Sequence, residues 1–419
     1  MQSQVTEQFR LRCQRSHCRG CGSKSLLPIL DFGPMPASDG FVSHDELEQT
    51  DPRYPLELAF CDRCTLVQVL ETVVPGQLFG ENYLYFSSCS DSWLSHARKN
   101  AGELINRYDL GGKSLVLEPA SNDGYLLRQF AAQGIPVLGV DPAPGPVAAA
   151  REKGIETIRE FFTEPLAREL AGAGVQADLV ITNNVLAHVA DLHDFIRGIN
   201  AVLKPRGAWI IEVPYVRDLV DAATYDTIYH EHLCYFSVRA LKLLLESHGF
   251  TINDIRLLRS HGGSLRLYAS RQQGTCRAVA ESLRQEERQD LHGLAPYRDF
   301  AYRAVAIRDA LAELLDDLAA RNEAIAAYGA AAKGTMLLNS LGSAATHVAF
   351  AVDRNPLKQG KWIPGVRIPI LAPEAIESEK PAYLLLLPWN LQHEVLTQQA
   401  AYRAGGGKFI IPFPGPTVV

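Results

Sequence analysis

Two C-x-x-C pairs near the N-terminus constrain this chain more than any other feature. Cys18 and Cys21 sit in HCRGCGS, Cys61 and Cys64 in FCDRCTLVQ, and 39 residues separate the pairs. Residues 1–75 otherwise hold turn formers and short strand-like pieces, PLELAFC and TLVQVLE, too little apolar material for an independent core. Two such knuckles bring four thiolates to one tetrahedral ion, so a structural zinc is predicted at Cys18, Cys21, Cys61 and Cys64. Four cysteine ligands leave no open coordination position, and no catalysis is expected there. A redox role would need a thioredoxin-like βαβ context that is missing. Cys13, Cys89, Cys234 and Cys276 lack partners at ligand spacing and read as ordinary thiols.

From Leu115 the pattern changes to apolar strands alternating with amphipathic helices. SLVLEP, PVLGVDP, ADLVITNN and AWIIEVP are separated by helical stretches such as YLLRQFAAQG and LHDFIRGINAVLK, which predicts a parallel sheet flanked by helices. GGSLRLYASR follows a further helix, RALKLLLESHG, and is expected to be an antiparallel edge strand. Long helix formers fill 278–323, a predicted connector. A second strand and helix series then runs through AIAAYGAAAKGTMLL, HVAFAVDRNP, AYLLLLPWN and KFIIPFPGP. The expected fold class is therefore α/β, with a zinc module over 1–75, a Rossmann-like domain over 76–277 and a smaller C-terminal α/β domain over 324–419.

LVLEPASNDGYLL runs from a strand through a small-residue turn into a helix, with Glu118 at the strand end and Gly124 in the turn. Backbone amides at such a turn approach a ligand closely. The segment is not G-x-G-x-x-G, which weighs against a dinucleotide and a sugar oxidoreductase. Asp141 ends the next strand in LGVDPAP, where a carboxylate accepts hydrogen bonds from ribose hydroxyls. With ITNNVLAHV after the fourth strand, these segments resemble the motifs of S-adenosylmethionine-dependent (SAM-dependent) class I methyltransferases. The resemblance implies cofactor contacts from Glu118, Ala120, Asn122, Asp123, Gly124, Asp141, Asn183 and Asn184.

The densest set of proton-transfer groups is TIYHEHLCYFS, with Tyr229, His230, Glu231 and His232. Removing a proton from carbon beside a ketone and holding the enolate calls for a histidine base and hydrogen-bond donors. Two histidines at i, i+2 also suit a metal, but no third ligand is obvious. The formal net charge of −6 argues against nucleic acid, and hence against a zinc-knuckle interaction protein touching it. No apolar run long enough to span a bilayer occurs, nor a hydrophobic segment in MQSQVTEQFRLRCQRSHC, so no membrane partner and a cytoplasmic location are expected.

Paired knuckles, then NYLYFSS, EPASNDGYL, YHEHLCYFS and finally YGAAAKG, resemble in order the zinc-containing sugar C-methyltransferase family of deoxysugar biosynthesis, whose best-described members methylate C-3 of TDP-4-keto sugars. The resemblance covers essentially the whole chain. It implies His232 as base, Tyr229 and Glu231 as groups that position or polarise the acceptor, and Tyr83 near the methyl-transfer centre, with Tyr85 a competing assignment. It also places His188 of NNVLAHV in the active site. Lys333 and Gly334, at a strand-to-helix turn that can present amides to phosphate, and Asp353 are implied nucleotide-sugar contacts, with Lys358, Lys361 and Gly365 nearby. A small-molecule acceptor, SAM and zinc, in a monomer, complete the expectation. An O- or N-methyltransferase would use the same cofactor fold with its base beside a hydroxyl or amine.

Overall fold

The computed structural model describes residues 15–80, 83–258 and 262–419. Cys13 and the N-terminal stretch through Gln14 lie outside them. The N-terminal strands β1 (Leu26–Pro36), β2 (Arg53–Cys61) and β3 (Val67–Val69) form an antiparallel meander. The strands of the central domain are β4 (Val116–Pro119), β5 (Val137–Val140), β6 (Thr157–Ile158), β7 (Ala177–Asn183), β8 (Leu203–Pro214), β10 (Thr251–Leu258) and β11 (Ser264–Ser270). They order as β10-β11-β8-β7-β4-β5-β6, parallel except for β11, which is antiparallel to both neighbours. GGSLRLYASR is thus inserted between two strands, and β10 takes the edge expected for it. The all-buried β11 agrees with that interior position, its one charged side chain, Arg266, being paired with Glu212 of β8 at 2.8 Å.

Local sequence explains the flanking helices. Leu192–Val202 starts where the Asp191 carboxylate accepts the His193 and Asp194 amides, and it buries Leu192, Phe195, Ile196, Ile199 and Val202. That i, i+3, i+4, i+7 spacing makes one apolar stripe against the sheet. Ser237 caps Val238–Glu246 in the same way by accepting the Ala240 amide.

The remaining short strand, β9 (Cys234–Tyr235), directly follows Tyr229–His232 and pairs with β3. The N-terminal module is therefore completed by a strand from the central domain. Its apolar face is also shared: Leu56, Leu58, Phe60, Val67 and Val69 cluster with Tyr297, Phe300 and Leu311 of the long helix Ala295–Ala320. That helix is a core element for the module and the C-terminal domain as well as a connector. The C-terminal sheet comprises β12 (Ile325–Tyr328), β13 (Val348–Val352), β14 (Ile370–Leu371), β15 (Tyr383–Leu386), β16 (Lys408–Ile411) and β17 (Thr417–Val418), ordered β14-β13-β12-β15-β16-β17. Among the described residues no helix is long and apolar enough to cross a membrane.

Candidate active site and metal centre

The four sulfur atoms of Cys18, Cys21, Cys61 and Cys64 lie within 4.8 Å of one another. Cys18 Sγ is 3.5 Å from Cys64 Sγ, and Cys21 Sγ is 3.6 Å from Cys61 Sγ. A tetrahedron with zinc–sulfur bonds of about 2.3 Å has edges near 3.8 Å, so these residues fit zinc. The knuckles are built for it: Gly22 has φ +71° and Thr65 φ +63°, and the Gly20 amide donates to Cys18 Sγ at 3.3 Å.

The cofactor loop follows β4. Ala120, Asn122 and Gly124 all have positive φ, folding the chain tightly at the carboxyl end of the sheet. Asp141 holds the turn by accepting the Asn122 and Ala143 amides, each at 2.9 Å. Burial, opposed by those two bonds, pushes its carboxyl up to about 6. Gly124 has a packing reason: a Cβ there would come within 3.1 Å of the Ile155 side chain. Asn122 is tied to the preceding segment, accepting from the Ser87 amide and donating to the Tyr85 carbonyl. Asp123 pairs with Lys153 at 3.0 Å and accepts from the Ser88 hydroxyl. Ser87 and Ser88 end the NYLYFSS segment, and the sequence reading gave them no role.

Glu118 Oε2, Asp123 Oδ1, Asn183 Oδ1 and Asn184 Oδ1 are buried acceptors without partners. Burial together with Asp141 and Asp123 holds the Glu118 carboxyl well above its ordinary range. Buried acceptors of this kind call for donors, and SAM offers an ammonium, ribose hydroxyls and an adenine amine. The residues fit the cofactor.

On the acceptor side, the Tyr229 hydroxyl is 2.9 Å from His232 Nε2, and the two rings stack 4.1 Å apart. His232 Nδ1 is 3.0 Å from the Thr227 carbonyl. A carbonyl only accepts, so Nδ1 carries the proton and Nε2 accepts from Tyr229. His188 packs edge-on to His232, with centroids 4.9 Å apart. Its ring is hydrogen-bonded to the Glu231 carbonyl, and burial lowers it to about 4; Nδ1 has no partner. Phe79 lies edge-on to both His188 and Tyr83, which puts Tyr83 on the histidine side. Tyr85 is next to it at 6.4 Å and runs into the cofactor loop. His230 turns away: Nε2 bonds the Tyr54 and Pro55 carbonyls at 3.2 and 3.1 Å. Alternation along the segment sends His230 to the zinc module, while Tyr229 and His232 meet across one turn.

The implied substrate contacts of the C-terminal domain are already engaged. Lys333 reaches the Asn390 side chain, lies 4.3 Å from the Trp389 ring centroid and is lowered to about 8 by burial. Gly334 packs so closely that a Cβ would approach Leu387 at 2.8 Å. Asp353 accepts the Ala330 amide at 2.7 Å and the Asn355 amide at 2.8 Å. Gly365 donates its amide to Asp51 of the N-terminal module.

This sheet order, the buried acceptors left without partners at and after the ends of β4 and β7 and a four-thiolate cluster are those of a zinc-containing, SAM-dependent methyltransferase. Family models match in succession: a zinc binding domain over residues 18–79, a methyltransferase domain over 93–255 and a C-methyltransferase C-terminal domain over 259–414. C-methyltransferase NovU from Streptomyces niveus is 36% identical over 405 residues, 96% of either chain. The chain belongs to this zinc-containing, SAM-dependent C-methyltransferase family. A ubiquinone biosynthesis O-methyltransferase from Azorhizobium caulinodans is 34% identical over 97 residues, 23% of this chain and 38% of its own. Magnesium protoporphyrin IX methyltransferase from Synechocystis PCC 6803 aligns over 43% of this chain and 83% of its own, with TM-score 0.34 and 17% identity, a likeness that carries no argument.

Proposed function

We propose that this enzyme methylates a carbon next to a ketone, with C-3 of a nucleotide-linked, TDP-like 4-keto-deoxysugar as the acceptor, by base-catalysed enolate formation. The observation that carries the reading is the Tyr229–His232 pair, 2.9 Å between hydroxyl and Nε2, beside the cofactor acceptors at the carboxyl end of the sheet. SAM supplies an electrophilic methyl group. Glu118, Asp123, Asn183 and Asn184 hold it through their free oxygens, Asp141 through its remaining lone pairs. Ala120, Asn122 and Gly124 shape the turn.

His232 Nε2 takes the proton from carbon, because its Nδ1–H is committed to Thr227 and its tautomer is set. Tyr229 releases Nε2 as the acceptor enters and turns its hydroxyl towards the carbonyl oxygen, where negative charge develops. Neutral His188 and Tyr83 line the same space, and Glu231 positions the acceptor. The C-terminal domain takes the nucleotide: Lys333, at the start of helix Ala332–Ser340, exchanges Asn390 for phosphate, with Gly334 and Asp353 shaping that turn. A cytoplasmic location suits thiolates that must stay reduced.

The test is incubation with SAM and a panel of nucleotide 4-ketosugars, read by mass spectrometry for one added methyl group. Exchange of solvent deuterium into carbon next to the ketone, without methyl transfer, supports the enolate. Methylation of a hydroxyl or amine without such exchange rejects it.

A further inference from the structure

The turn that orients His232 is held from outside its own domain. Tyr225–Thr227 form a single 3-10 turn, and the Thr227 carbonyl at its end accepts His232 Nδ1–H at 3.0 Å and the Tyr235 hydroxyl at 3.1 Å. The other two members of the turn reach into the C-terminal domain. The Asp226 carboxyl, 0% exposed, accepts the Trp389 indole N–H at 2.7 Å. The Tyr225 hydroxyl is 3.2 Å from Ser340 Oγ, on the helix Ala332–Ser340.

The indole is placed with little freedom. Trp389 follows β15, and Pro388 before it packs on Gly329 of the loop after β12, where φ is +84° and a Cβ would come within 2.6 Å of the proline ring. Phe413 then joins donor and turn: its ring centroid lies 5.4 Å from that of Trp389 and 5.5 Å from that of Tyr225. Lys333, the cation proposed to meet phosphate, rests 4.3 Å from the same indole centroid. An indole N–H donates only, and a donor–acceptor pair closed away from water is costly to break.

We propose that Trp389 and Asp226 are positioning residues for the base: through their hydrogen bond the C-terminal domain fixes the Thr227 carbonyl, and with it the orientation and tautomer of His232. This role rests on His232 being the base of the enolate reading above. Without the bond the turn shifts and Thr227 withdraws from Nδ1–H. Nε2 is then protonated in part of the molecules, which cannot take a proton from carbon. The loss falls on kcat, because the acceptor still binds but meets a misplaced or wrongly protonated ring.

Nitrogen NMR of the full-length protein labelled at its histidines, without acceptor, reads the tautomer, and His232→Gln identifies the signals. Wild type should show Nδ1–H alone. Trp389→Phe, which keeps a ring beside Lys333 but has no N–H, should show a mixture with Nε2–H. On the nucleotide 4-ketosugar that the wild type methylates, this variant should lower kcat by about 10- to 100-fold, with KM and calorimetric SAM affinity little changed. Asp226→Ala should match it, whereas Asp226→Asn still offers the indole an acceptor and should keep the single tautomer and most of kcat. An unmixed Nδ1–H signal or wild-type kcat in Trp389→Phe overturns the proposal, as does Asp226→Asn falling as far as Asp226→Ala. If Trp389→Phe does not fold, Ser340→Ala, which frees the other anchor of the turn, is judged by the same two readings. A panel on which wild type transfers no methyl group overturns the enolate reading instead; the tautomer comparison then decides whether the C-terminal domain positions His232.

Discussion

The Tyr229 hydroxyl sits 2.9 Å from His232 Nε2, while the other nitrogen of that ring is fixed on the Thr227 carbonyl. One tautomer and one lone pair are therefore selected before any acceptor arrives. Substituting His232 by Ala should lower methyl transfer by about 10²- to 10⁴-fold, the usual weight of a general base. Tyr229→Phe should cost less, about 10- to 100-fold, because Thr227 still orients the imidazole. Calorimetric SAM affinity should be nearly unchanged in both, and a fully active His232→Ala enzyme would remove the proposed base.

Cofactor affinity should depend on Asp141 and on pH. Its carboxyl sits at about 6 because it is buried, so the ionised acceptor forms only above that pH. SAM binding should weaken as pH falls through 6, and Asp141→Asn should bind about 10- to 100-fold more weakly with a flatter pH profile. Titration calorimetry between pH 5 and 8 reads both effects.

Zinc should support activity without touching the chemistry. β2 ends on Cys61, β2 pairs with β3, and β3 pairs with β9 immediately after His232. The Val69 amide also donates to the Leu233 carbonyl at 3.0 Å. Elemental analysis should find one zinc per chain. Cys61→Ser or prolonged chelation should lower Tm by about 5–10 °C and reduce methyl transfer in parallel. Full activity in metal-free protein would break that mechanical link.

His230 should be a pH-dependent fastener between the module and the central domain. Burial lowers it from 6.5 to about 4 in the folded state. Between those values the unfolded chain binds the extra proton, so this group's contribution is complete above about 6.5 and is lost as pH falls towards 4. The loss is up to about 3 kcal/mol. His230→Gln should flatten the denaturant-measured stability curve over that window relative to wild type. An unchanged slope would show that His230 does not titrate there.

Much of the site was legible in the sequence because its parts are local. The C-x-x-C spacing is itself the zinc knuckle, and the strand-end acids Glu118 and Asp141 lie where β4 and β5 finish. The docking of the loop after β1 was not legible: PASDGF has no periodicity and no chemical spacing, and the Ser38 carbonyl meets the Thr335 hydroxyl only because β1 carries that loop onto the C-terminal domain. The same holds for Ser87 and Ser88, which matter through the turn they clamp.

By itself the sequence determined the α/β class, the tight turn after β4 and the two cysteine knuckles, since each depends on residues a few positions apart. Only the tertiary structure decided that β9 belongs to the module's sheet, that β11 is interior while β10 is the edge, and that His230 faces away from His232. Those outcomes come from strand pairing and burial between distant segments. Residue spacing does not encode which partner a short strand finds, because that choice depends on the summed packing of the rest of the chain.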